Sequence, residues 1–174
     1  MVSLASPVHP TTFARMPKAA LRAAILAQLH RELELQIRAA HDSRDEATSA
    51  ENKAEGQYDM RSQEAAYLAE GQARLAAELA ESITIYQSLD LPDFTSASAV
   101  AVGALVTLEA KGRRSLYFFG PRNGGLEATI GELPFTIVTP TSPLGRQLIG
   151  QRLGATVQLP GRRGPEPHQI VELV

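Results

Sequence analysis

Leucine, isoleucine and alanine set the first rhythm of the chain. From Lys18 to about His41, Leu21, Ile25, Leu29, Leu33 and Ile37 recur every four residues in a stretch without Gly or Pro, and Leu26, Leu33 and Ala40 offer a seven-residue alternative. That spacing predicts a helix with one apolar face, opened by Pro17 in its first turn. A second helix is predicted from Asp59 to about Leu89, where Ala65, Leu68, Gln72, Leu75, Leu79, Ser82, Tyr86 and Leu89 stand alternately three and four apart. This is a heptad seam with two polar interruptions, and a seam needs a partner helix. The first helix is the only other long one, so the pattern predicts an antiparallel coiled-coil hairpin with arms roughly 35–45 Å long. A compact bundle would need further helices of similar length. The connection, Asp42 to Gly56, then becomes a projecting tip.

After Leu89 the periodicity shortens. Asp90–Ser98 carries Pro92 and a Thr/Ser/Ala cluster, which reads as a hinge. Short β-like runs follow at Ala101–Leu108, Arg114–Phe119 and Phe135–Val138, separated by turns that include Asn123-Gly124-Gly125. Thr141-Ser142-Pro143 opens a short helix with Ser142 as N-cap and Pro143 at its first position, closing at Gly150. Strands Ala155–Leu159 and His168–Val174 finish the chain. The predicted class is therefore α+β: a helical hairpin over residues 1–91 with its tip near 42–59, a linker at 92–99, and a small α+β domain over 100–174.

Composition removes several function classes. Apolar residues make up 44% and charged residues 21% of the 174, as in ordinary globular chains, which argues against a disordered tail or a membrane protein. Met1 to Met16 has no continuous apolar stretch, so neither a signal peptide nor a membrane span is expected, and a cytoplasmic location follows. Cysteine is absent, which excludes disulfides, thiolate metal sites and cysteine nucleophiles. Aromatics stand at 5%, too few for a stacking platform for single strands. The net charge of −2 gives no global attraction to nucleic acid, and sequence-specific DNA binding is not expected.

That charge is unevenly placed. Residues 1–95 hold 9 basic and 14 acidic side chains, against 8 and 5 in residues 96–174. Within the first half, 42–70 alone holds 3 basic and 8 acidic residues, so the surplus sits at the predicted tip.

The run Ser142-Pro143-Leu144-Gly145-Arg146-Gln147-Leu148-Ile149-Gly150-Gln151-Arg152-Leu153-Gly154-Ala155-Thr156-Val157 resembles the signature of the C-terminal domain of the GreA/GreB transcript-cleavage factors of bacterial RNA polymerase. In the hairpin, Glu51-Asn52, Tyr58-Asp59 and Tyr67 are similar to that family's tip and its downstream aromatic. The resemblance covers nearly the whole chain, with both halves in the family's order. It implies an FK506-binding-protein-like (FKBP-like) C-terminal domain that docks at the rim of the polymerase secondary channel, through Ser142, Pro143, Leu144 and Arg146. It also implies a hairpin that enters the channel, where tip carboxylates help hold a second Mg²⁺ and a water for cleavage of backtracked RNA. Mg²⁺ suits this role, since it takes oxygen ligands, keeps several waters and needs only one or two carboxylates beside a phosphate. No tightly bound cofactor is implied, and the nascent RNA 3′ end is met only indirectly.

The tip departs from the family pattern. Counting back from Tyr58 without gaps sets Glu51 on the family's Asp and Ala54 on its Glu. Matching Glu51-Asn52 to the family's Glu-Asn instead requires an insertion of three residues and sets Thr48 on the Asp. Either register keeps one of the two carboxylates. On its own physics, a second helix beginning near residue 49 would line Glu51, Glu55 and Asp59 along one face, where like charges repel by a few tenths of a kcal/mol per pair. Glu51 and Glu55 are then the candidate catalytic and Mg²⁺-holding pair, with Asp45 and Glu46 nearby. The bland alternative is a capping box, Thr48-Ser49-Ala50-Glu51, with its acids favoured by the helix dipole.

Other signals are weaker. Asp42-x-x-Asp45-x-Ala47 also spells the tip motif of the DksA family, another hairpin that enters the same channel, which points toward regulation instead of cleavage. His9, His30, His41 and His168 show no ligand spacing, and His41 is expected near a helix C-terminus. Arg162-Arg163 between glycines reads as a charged hairpin turn, and Ile149 as domain core. The leading expectation is a monomeric Gre-like elongation factor that assists RNA polymerase and has no turnover of its own. The alternative is a non-catalytic secondary-channel regulator, an inhibitor or modulator of initiation or pausing. A prolyl isomerase or chaperone is the third, with the low aromatic content weighing against its apolar pocket.

Overall fold

The computed structural model describes residues 18–51, 60–161 and 164–174. Two helices come first, α1 (Lys18–Glu51) and α2 (Met60–Ser88). A mixed sheet with one short helix follows: β1 (Leu105–Ala110), β2 (Arg113–Phe119), β3 (Glu127–Ile130), β4 (Leu133–Val138), α3 (Pro143–Leu148), β5 (Thr156–Gly161) and β6 (Gly164–Leu173). The α+β class is the one the periodicity predicts. The chain divides into two compact units, Ile25–Ser88 and Leu89–Val174, the latter together with the chain up to Ala24.

In the helical unit, α1 and α2 run antiparallel and share a polar rung, where Ser43 Oγ donates to Gln72 Oε1 at 3.2 Å. Helix α1 does not stop near His41 but continues to Glu51. Neither Gly nor Pro interrupts it, and Thr48 Oγ1 donates back to the Arg44 carbonyl at 2.9 Å, a bond made inside a helix. His41 therefore sits in mid-helix, away from any C-terminal dipole. The expected seam also shifts. Leu21, Ile25 and Leu29 are buried, but Ile37 is 43% exposed. Steps of four residues advance about 40° beyond a full turn, so the four-residue row rolls away from the partner helix. On α2, Ala65, Ile83 and Tyr86 are buried whereas Leu68 and Leu75 are 55% and 48% exposed. Ser82 of the expected row is buried too and Gln72 makes the polar rung, so the row departs at those two leucines.

The sheet order is β3-β4-β2-β1-β6-β5, antiparallel throughout except where β2 pairs with β4. Strand β1 begins with four consecutive buried residues, as a strand covered on both faces should. One face carries Val106, Leu108, Phe119, Val138, Val157 and Ile170, packed with Leu148 of α3 into a single cluster. Ser142 caps α3 as predicted: its hydroxyl accepts from Gly145 N at 3.0 Å and donates to the Thr139 carbonyl at 2.8 Å. The expectation that Ile149 is core is corrected, because Leu148 is fully buried and Ile149 is 52% exposed. The helix ends there, with Gly150 turning the chain at φ 75°. Strand β5 lies at the sheet's end, and there the Gln147 carboxamide bonds both backbone groups of Gln158, accepting from its N–H at 2.8 Å and donating to its C=O at 3.0 Å.

The root of α1 belongs to the same unit as the sheet. Lys18 Nζ lies 3.3 Å from Asp93 and 5.4 Å from the centre of the Phe94 ring, and the Arg22 guanidinium donates to the Leu89 carbonyl. Arg152 likewise donates to the Ala97 carbonyl. The hinge-like segment is thus tied down at several points.

Candidate functional site

The acidic stretch is helical where the structure describes it. Asp42, Asp45 and Glu46 stand on α1 at spacings of three and four, which places them on one face, and all three are exposed. None of them makes an ion pair among the described residues. Of the nearest arginines, Arg38 pairs with Glu34 at 3.5 Å, and Arg44 makes no ion pair among the described residues. Like charges held on one face repel, so a cation brought to Asp42, Asp45 and Glu46 is favoured. Their hard, exposed carboxylate oxygens suit Mg²⁺. Among the described residues no three acidic or histidine side chains converge into a ready-made metal cage.

The two leading sequence candidates fall differently. Glu51 is the last residue of α1, and Glu55 lies outside the described residues, as do Tyr58 and Asp59. A second helix beginning near residue 49 is overturned, because Thr48, Ser49, Ala50 and Glu51 belong to the end of α1 and α2 begins at Met60. The capping box falls with it, since Thr48 bonds within α1. Asp45 and Glu46, secondary on sequence grounds, are the tip candidates whose surroundings are on view, and Asp42 joins them. Asp42 was reached from sequence through the Asp42-x-x-Asp45-x-Ala47 spelling, but a helix expected to stop at His41 gave no reason to place it on one face with Asp45 and Glu46.

The other candidate surface is the start of α3. Ser142 is half-buried and engaged as the cap, Pro143 and Arg146 are exposed, and Leu144 is half-buried against the core cluster. Pro143 and Leu144 form one wall of a cleft of about 820 Å³ whose other walls include Ile137 of β4 and Leu159 and Pro160 of β5. Among the described residues no charged side chain lines it. Sequence reading missed this cleft because its walls, Leu, Ile, Val, Pro and Gly with Thr, Ser and Gln between them, come from four separate segments, and a shortage of aromatics does not preclude a mainly apolar hollow built this way. Gly145 makes the tight junction: a Cβ there would stand 1.8 Å from the Thr139 carbonyl oxygen. Side chains of Arg162 and Arg163 lie outside the described residues, but the hairpin between β5 and β6 is formed on either side of them.

Ionisation is perturbed away from both surfaces. Burial raises the Glu172 carboxyl above the ordinary range, against the opposing effects of the Thr107 hydroxyl, at 3.4 Å, and the Arg114 charge. Lys111, 2.9 Å from Glu166, holds that carboxyl low.

No protein-family model and no curated protein matches the sequence. Among solved structures, the chain is similar to the GreA factor homolog 1 (Gfh1) of Thermus thermophilus, at 18% identity over 86% of this chain and 94% of that one, with a TM-score of 0.35. Thermus aquaticus Gfh1 gives 19% identity over 84% and 92%, with a TM-score of 0.37. The GreA/GreB elongation factor from Nitrosomonas europaea gives 20% over 59% and 78%, with a TM-score of 0.34. Among the described residues no helix is long and apolar enough to cross a membrane.

Proposed function

We propose that this chain is a Gre-type factor that binds RNA polymerase through its β-rich unit and presents hairpin carboxylates in the secondary channel, where they support cleavage of backtracked RNA. The observation that carries the reading is the long run from Ser142 to Val157, which resembles the family signature and forms a capped helix beside an apolar cleft. In this reading Pro143 and Leu144 give apolar contact, and the exposed Arg146 supplies a charge able to grip a carboxylate with two hydrogen bonds. Asp45 and Glu46, with Glu51 and Glu55 further along, would offer oxygens to a Mg²⁺ shared with the polymerase. When bound, that ion supplies charge stabilisation at the phosphate and a more acidic water. The chain's own part is to hold oxygen ligands in place, and it turns over nothing alone. Such a protein works in the cytoplasm.

Stalled, backtracked complexes with Mg²⁺ test this reading through the length of the RNA 3′ end. Shortening in the presence of the chain is expected, with a loss of tenfold or more in Asp45→Asn/Glu46→Gln or Glu51→Ala/Glu55→Ala. Unchanged shortening in both pairs would exclude the tip acids. A second reading, a regulator that occupies the channel without cleavage, is favoured by one observation: Asp42, Asp45 and Ala47 lie on continuous helix, and either sequence register keeps only one family carboxylate. Polymerase binding without shortening selects it.

A further inference from the structure

The helical unit carries a groove of about 540 Å³ between its two helices, with unlike walls. Ile37 and Arg44 stand on the α1 side, while the α2 side is low, built from Ala69, Ala73 and Ala76 with Glu70 beside them. Arg44 and Glu70 are both exposed, line the same groove, and make no ion pair among the described residues. Ile37 is 43% exposed in the same place. A bulky, cationic wall and a small, anionic wall are complementary to each other, but one copy of the hairpin does not close them together.

We propose that a second copy of this chain packs into the groove about a two-fold axis parallel to the helices, making an up-down-up-down four-helix arrangement. That operator keeps heights along the helices and exchanges the walls. Ile37 of each copy then lies over the alanine wall of the other, and Arg44 of each meets Glu70 of the other. One contact type is made twice, so both the apolar knob and the two charges that lack an ion pair among the described residues are satisfied. The groove spans residues 37–48 of α1, about 17 Å at 1.5 Å per residue, so the contact is shorter than a standard interface and the dimer is weak and concentration-dependent. Dilute chain is monomeric, and association covers the hairpin body. This goes beyond the polymerase reading and does not depend on it.

Sedimentation velocity of the full chain across about 10 to 500 μM, with helicity checked by far-UV circular dichroism, tests the proposal. The mass should rise toward two chains with concentration, and Arg44→Glu, Glu70→Arg and Ile37→Glu should each raise the dissociation constant about tenfold or more. The deciding measurement is an equimolar mixture of the Arg44→Glu and Glu70→Arg proteins. In a mixed pair both crossed contacts are complementary again, so the mixture should associate where neither variant does alone, and no effect within one chain can produce that. A chain monomeric at every concentration, a dimer indifferent to the single reversals, or a mixture that stays monomeric overturns the proposal.

Discussion

Replacing Gly145 by alanine sets a methyl group against the Thr139 carbonyl oxygen, a main-chain atom with nowhere to go. The turn into α3 should open, and urea unfolding should show a loss of about 3 kcal/mol or more, at the upper end of single-residue effects. Ser142→Ala removes only the cap, so about 1 kcal/mol is expected from the same measurement. Glu172 gives a pH-dependent case. Its folded-state pKa is raised, so the folded chain binds the proton more tightly than the unfolded one and ionisation costs stability. That cost is absent below the unfolded pKa, grows as pH rises toward the folded value and is complete above it. Glu172→Gln should therefore raise the melting temperature at pH 7, and the gain should disappear on acidification through the carboxylate range. Single positions were legible in the sequence where local chemistry decides them. Ser142 and Pro143 announce a cap because the bond from Gly145 N–H to the Ser142 hydroxyl spans three residues and Pro143 suits a first helical position. Ile149 against Leu148 was not legible, since which of two adjacent apolar residues faces inward depends on where the helix ends against the sheet.

Helix boundaries and seams are decided by what packs alongside, and here the reading from periodicity was partial. Two long helices and most strands follow from pattern alone. Strand β3, Glu127–Ile130, was missed: its alternation of Glu, Ala, Thr and Ile lasts only four residues, too short to stand out, and its pairing with β4 holds it. The length of α1 was underestimated because Asp42, Ser43 and Asp45 are poor helix formers. A buried Ser43–Gln72 bond and an unbroken backbone outweigh that preference. The outward-facing leucines make a direct prediction. Leu68→Lys and Leu75→Lys should each change stability by less than about 0.5 kcal/mol. Ile83→Ala, on the buried face of α2, should cost about 2 kcal/mol or more in the same thermal or urea titration. The reverse ranking would restore the leucine seam.

Across the whole chain, the uneven charge is read directly from the sequence. An acidic hairpin and a more basic β-rich unit are visible from counting alone, whereas the cleft beside α3 is not, because its walls are far apart in sequence and individually ordinary. The two surfaces should respond differently to salt. If Arg146 grips an acidic partner surface, polymerase binding by Arg146→Ala should weaken about tenfold at low ionic strength and by less at high, since screening removes what the charge contributes. Binding measured by biolayer interferometry at two salt concentrations checks this, and equal losses at both would assign Arg146 to shape instead of charge.

At the outer margin of the sheet, the carboxamide of Gln147 occupies the same hydrogen-bonding groups of Gln158 that a neighbouring strand would use. A strand from another molecule therefore meets no vacant ladder at that position of the edge.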